Sequence, residues 1–139
     1  MQATDAPLAA APAGPALRLA AVFGGLAVGL GAFAAHAMQS RFDEAALRTF
    51  ETGVRYQMSH ALALLGFGPL HRIGVRTTAA TWLFTVGIAL FSGSLYGLVL
   101  LELRWLGPVT PIGGVALLAG WLSLLLAARR RTGHGSGEG

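Results

Sequence analysis

From Thr77 to Leu101 the chain runs 25 residues without a charged side chain. A helix needs only ~20 apolar residues to cross the ~30 Å hydrocarbon core of a bilayer, so this run predicts a membrane span with length to spare. Three other stretches follow suit. Leu19–Met38 lies between Arg18 and Arg41 and is a second span of fitting length. Residues 44–70 begin amphipathic: Asp43 suits an N-cap, Glu44 sits at the positive end of the helix dipole, and Leu47, Phe50 and Val54 form one stripe before the segment turns apolar at Tyr56. One continuous helix ending near Pro69 is expected there. In Gly107-Pro108-Val-Thr110-Pro111, Thr110 reads as an N-cap and Pro111 as the first residue of a helix over 111–128. The expected fold is all-α, an integral membrane four-helix bundle with spans near 19–38, 44–70, 77–101 and 111–128 and an amphipathic extension at the start of the second helix. Trp82 and Tyr96 suit interface positions.

Composition agrees: 54% of residues are hydrophobic and 12% charged, about half the charge of a soluble domain. Residues 1–17 are Ala/Pro-rich and 129–139 basic then Gly-rich, and both read as disordered tails. The absence of cysteine excludes disulfides and thiolate chemistry. The net charge of +4 comes from ten arginines at the ends of apolar runs, not from a stripe on one face, so nucleic acid is not an expected partner. Four spans put Arg18, Arg72, Arg76, Arg129, Arg130 and Arg131 on one side and Arg41, Arg48, Arg55 and Arg104 on the other. The positive-inside rule then places both termini in the cytoplasm. Arg18, the apolar run and Ala35-His36-Ala37 also match a cleavable signal peptide, but the packing role read into the glycines favours a retained span.

Helices in lipid associate through small residues spaced a turn apart. The first span offers Gly25, Gly29 and Ala32, leading to His36; the third offers Ala89, Gly93 and Gly97; the fourth offers Ala116, Gly120, Ser123 and Ala127. Polar side chains gather toward the non-cytoplasmic side: His36, then Arg55, Tyr56, Gln57 and His60, then Ser92, Ser94 and Tyr96, then Thr110. Gly53, Gln57 and His60 share a helix face, with Glu51 and Arg55 at i, i+4 spacing beside them, and small residues would let His36 approach. This cluster is expected to be either a site for a lipid headgroup, small anion or partner protein, or a hydrogen-bond network that ties helices together. The favoured reading is structural. The histidine spacing does not suit a metal, Ser92 and Ser94 lack a base and orienting partner, and no cofactor or enzymatic activity is expected. The first span has no embedded acid of the kind proton-coupled exporters use, and no asparagine exists for the pore of a small fluoride channel.

Four motifs carry a family resemblance: Gly31-Ala-Phe-Ala-Ala-His36-Ala, Phe50-Glu-Thr-Gly-Val-Arg55-Tyr-Gln57-Met-Ser-His60-Ala-Leu-Ala, Phe91-Ser-Gly-Ser94-Leu-Tyr96 and Gly107-Pro-Val-Thr-Pro-Ile-Gly-Gly114. Over about residues 19–128 the chain resembles domain-of-unknown-function family 423, a transmembrane-protein-256-like family. The resemblance implies a small helical protein of the bacterial inner membrane and no established activity, substrate or cofactor. Its characteristic residues are His36, Gly53, Arg55, Tyr56, Gln57, His60, Ser92, Gly93, Ser94, Tyr96, Pro108, Thr110, Pro111, Gly113 and Gly114, which coincide with the polar cluster. The expectation is a multi-pass membrane protein serving as an accessory or structural component, with the bilayer and a membrane-protein partner or second copy as its contacts. The alternative is an oligomeric small-solute or ion transporter.

Overall fold

A computed structural model describes residues 14–132, and every regular element among them is helical. Helix α1 (Pro15–Phe33) runs into a π-helical turn at Ala34–Met38. Helix α2 (Glu44–Leu65) is followed by the short α3 (Phe67–Arg72), then α4 (Thr78–Leu100), a 3-10 turn at Arg104–Leu106, and α5 (Val109–Thr132).

The helix boundaries have local causes. Pro15 opens α1 as a first-turn proline, where its missing N–H costs nothing, so the helix starts inside the segment expected to be a tail. The remainder of that tail, and residues 133–139 of the other, lie outside the described residues. Asp43 caps α2 as expected, its carboxylate accepting from the Ala46 N–H at 2.8 Å. The helix expected to run to about residue 70 instead stops at Leu65. Pro69 has no N–H to offer the Leu65 carbonyl and its ring crowds that oxygen, so the ladder breaks one turn before the proline. Helix α5 begins at Val109, ahead of Thr110, which therefore does not cap it. It continues past Ala128 to Thr132, because arginines at a helix C-terminus complement the dipole and do not end the helix. Glu102 follows α4 in the left-handed region at φ 53°, turning the chain so that the Leu103 N–H donates to the Gly97 carbonyl.

Successive long helices pack antiparallel: α1 on α2, α2 on α4, α4 on α5. One end of the molecule thus carries the 39–43 and 101–108 connections (the two-loop end). The other carries α3, the 73–77 connection and the outer ends of α1 and α5 (the terminal end). A core of Ala16, Ala20, Leu64, Phe67, Ala80, Phe84, Ile88 and Leu117 joins all the helices toward the terminal end. A second, of Ala34, Met38, Phe50 and Val99, closes the two-loop end. Three helical segments are long and apolar enough to cross a membrane: Pro15–Met38, Thr78–Leu100 and Arg104–Arg130. In their most apolar stretches α4 is 44% buried but the other two only 17%, so α4 is central and α1 and α5 flank the bundle.

The small-residue stripes distribute unevenly over this architecture. Gly120 packs under the Phe84 ring and Gly97 under Leu106, with Ala116, Ser123 and Ala127 part-buried nearby, so the α5 stripe and the end of the α4 stripe are packing faces. Gly25, Gly29 and Ala32 are exposed, as are Ala89 and Gly93, and nothing lies within 4 Å of a side chain built at Gly25, Gly29 or Gly93. These five do not make the helix contacts expected of them. The face of α1 that meets α2 is Ala16, Ala20, Ala27 and Ala34, with Gly24 facing Ala61 and Gly31 facing Val54. Alanines are also small enough for helices to approach, and these sit on the side where Phe23 and Met38 add bulk to the core.

Candidate functional site

The polar side chains of α2, α4 and α5 meet in three places. At the centre, Gln57 is 4% exposed and makes two bonds: its amide donates to the Phe23 carbonyl of α1 at 2.8 Å, and its oxygen accepts from the Tyr96 hydroxyl at 3.0 Å. One residue thereby links three helices. The Tyr96 side chain turns inward from near the end of α4. Its ring lies 4.7 Å from that of Phe50 and against Gly53, where an added Cβ would fall 2.7 Å from the ring. Beside it the buried Ser92 hydroxyl donates to the Gly53 carbonyl at 2.8 Å. Gly53 is therefore needed for room on one side while its oxygen anchors α4 on the other.

The second meeting point is His60, 7% exposed, toward the terminal end. Its Nε2 lies 3.2 Å from the indole nitrogen of Trp121 on α5, and its Nδ1 lies 2.8 Å from the Tyr56 carbonyl. An indole N–H only donates and a carbonyl only accepts, so both bonds form together only when Nδ1 carries the proton and Nε2 does not. Phe84 stands edge-on to the imidazole at 4.9 Å, and Tyr56 stacks at 6.1 Å while resting on Phe91 at 4.4 Å. The third is Ser94 on α4 with Thr110 on α5, their hydroxyls 2.7 Å apart and Ser94 also donating to the Phe91 carbonyl. Thr110 was expected to cap α5; a partner on the neighbouring helix holds its hydroxyl instead.

Two members of the expected cluster stand apart. His36 is exposed on the π turn. The register set by Gly24 facing Ala61 and Gly31 facing Val54 places it level with Thr49, eleven residues and about 16 Å along the helix from His60. The two imidazoles do not converge. Arg55 is exposed as well. It lines a surface groove with Gly31, Val54, Glu51 and Ser59, but the ion pair that forms is one turn and more earlier, Arg48 to Glu44 at 2.6 Å. Among the described residues no three His, Asp or Glu side chains group closely enough to hold a metal ion, and every buried side-chain polar atom there has a partner. Trp121, which fastens α2 to α5, was not singled out from the sequence. The only hint was a lone indole on the helix whose Gly113, Leu117 and Gly120 form its packing stripe.

Long uncharged helices whose buried polar groups bond to one another and whose outer faces are apolar define a multi-pass helical membrane protein. The family described as Protein of unknown function (DUF423) has a model that matches residues 30–114, and the chain belongs to that family. It is 46% identical over 107 residues to the UPF0382 membrane protein YwdK of Bacillus subtilis, covering 74% of this chain and 86% of the relative. It is 43% identical over 109 residues to the UPF0382 membrane protein SAB0533 of Staphylococcus aureus, covering 78% and 89%. To the UPF0382 inner membrane protein YgdD of Escherichia coli it is 40% identical over 116 residues, covering 82% and 88%. No solved structure matches the chain.

Proposed function

We propose that the protein is a structural or accessory component of a bacterial inner membrane, crossing it four times with both termini in the cytoplasm. The observation that carries this reading is how the polar groups are used. Gln57, His60, Ser92, Ser94, Tyr96 and Thr110 all bond to another helix or to a backbone carbonyl within the chain, which leaves few to line a solute path or act on a substrate. No catalytic role is assigned to any of them. The fourth crossing is supported by α2 lying alongside α1 from Phe50 to Leu64, so that a bilayer spanned by α1 encloses most of α2 as well. The cytoplasmic termini rest on the six arginines at the terminal end against four at the other. On this reading His36, exposed at the non-cytoplasmic end, is the group of the cluster available to a lipid headgroup or partner protein, while the exposed Arg55 and Tyr56 lie deeper. Liposomes containing the purified protein are expected to pass ions and small anions no faster than empty ones. Flux well above that background would favour the alternative, an oligomeric transporter or channel, for which the exposed Glu51 and Arg55 would be the natural lining.

A further inference from the structure

Helix α2 leaves one face uncovered. Glu44, Arg48, Glu51, Arg55 and Ser59 are exposed on it, and Leu62 continues it toward the terminal end. Glu44 and Arg48 pair with each other at the helix start. Glu51 and Arg55 lie deeper, and among the described residues neither side chain has a hydrogen-bond or ion-pair partner. Their depth follows from the contacts of Gly53 with Ser92 and Tyr96, which put Arg55 about level with Ser92. That is eight residues, about 12 Å, below the end of α4 at Leu100. On the four-span reading proposed above, on which this inference rests, the position is inside the hydrocarbon. A guanidinium and a carboxylate facing lipid there are costly, and side-chain length relieves only part of the cost. The adjoining groove is walled by Gly31 of α1 and Ala34 of the π turn, small enough to admit another helix closely.

We infer that this face is the interface between two copies of the chain, packed α2 against α2 about a two-fold axis along the membrane normal. The face carries both signs of charge one turn apart and is its own complement: the two-fold sets Glu51 of one copy beside Arg55 of the other, and the reverse. Helical side chains lean toward the N-terminus of their own helix, so the Arg55 guanidinium reaches back toward the level of Glu51. The opposite face of α1, with Gly25, Gly29 and Ala32, is also uncovered, but it carries no such charge pair to select a partner, and lipid covers it equally well.

Because the chain has no cysteine, a single introduced thiol cross-links only between molecules. Under mild oxidation in native membranes, Ser59→Cys is expected to give a disulfide-linked dimer. Gly29→Cys and Leu118→Cys, on exposed faces elsewhere, are expected to give at least tenfold less. In the Ser59→Cys background, Arg55→Glu or Glu51→Arg alone is expected to lower the yield tenfold or more. The acidic and the basic variant expressed together are expected to cross-link to each other. Circular dichroism checks that each variant retains its helix content. Equal cross-linking at Ser59 and Gly29, yields indifferent to the charge reversals, or a different polypeptide captured at Ser59→Cys would overturn the interface. Labelling of Ser59→Cys in intact cells by a membrane-impermeant thiol reagent separates the two readings. A shielded thiol with no dimer removes the interface alone, whereas a freely labelled thiol removes the fourth span and the interface with it.

Discussion

The seam between α4 and α5 and the seam between α1 and α2 are both built on small residues, yet they differ in what the small residue faces. At Gly113 a Cβ would fall onto the Phe91 backbone, and at Gly87 it would stand 3.0 Å from the Leu117 nitrogen as well as against that side chain. Backbone cannot step aside. Across α1 and α2 the corresponding separations are 3.9 Å at Gly24 and 3.5 Å at Gly31, ordinary van der Waals contact, and the neighbours are side-chain carbons of Ala61 and Val54. The first seam is held mainly by shape, with one polar bond across it, between the Ser94 and Thr110 hydroxyls. The second has less contact to offer in lipid, where apolar burial drives nothing, and is crossed by the Gln57 bond to Phe23. Each seam carries a polar bond, so the difference between them lies in how closely the backbones approach.

Substitutions sharpen this contrast, beginning with the largest effect. Gly113→Val drives a branched side chain into the Phe91 backbone, and a loss of about 3 kcal/mol is expected in reversible unfolding from mild detergent. A loss no larger than that of an exposed glycine would mean that the seam is not as close as described. Gly53→Ala displaces the Tyr96 ring, which is mobile where backbone is not. The expected cost is about 1–2 kcal/mol, with loss of the Tyr96 bond to Gln57 visible in the tyrosine hydroxyl vibration.

His60 tests the α2–α5 contact. Its Nε2 is the acceptor for the Trp121 indole N–H, and a side chain without an acceptor there loses the bond. With Trp82 and Trp105 replaced by Phe, His60→Phe should shift Trp121 emission and cost about 0.6 kcal/mol for the lost bond. Trp121 emission unchanged in His60→Phe would mean that the indole is not held by the imidazole. At the small end, Gly29→Ala meets nothing within 4 Å and is expected to leave stability unchanged or raise it by up to about 1 kcal/mol through helix propensity. A loss comparable to that of Gly53→Ala would show that the face of α1 has been assigned to the wrong side.

Features that depend on local chemistry were legible in the sequence. The 25-residue uncharged run, the Asp43 cap and the shared face of Gly53, Gln57 and His60 all stand as read. The end of α2 was misplaced by one turn because a proline acts on the carbonyl four residues before it, and that carbonyl belongs to Leu65. What local pattern could not carry is rotational phase. The first helix is small nearly all round, so Gly25-Gly29-Ala32 and Ala20-Ala27-Ala34 are equally good stripes on paper. The choice falls to the side where Phe23 and Met38 meet α2 and α4. The polar cluster shows the same division. Its α2 and α4 members could be grouped by spacing, but whether His36 joined them depended on the α1–α2 register, and the part of Trp121 depended on the pairing of α4 with α5.

The number of crossings made by α2 decides between a bundle that holds its polar groups inside the membrane and one that lays them at the surface. It is read most directly by single cysteines at Ser40, Gly74 and Leu103 and by tags at both ends, probed with a membrane-impermeant reagent in intact cells. Labelling at Ser40 and Leu103, with Gly74 and both tags protected until the cells are opened, is the expected pattern. Tags found on opposite sides, or Gly74 labelled together with Ser40, would contradict it.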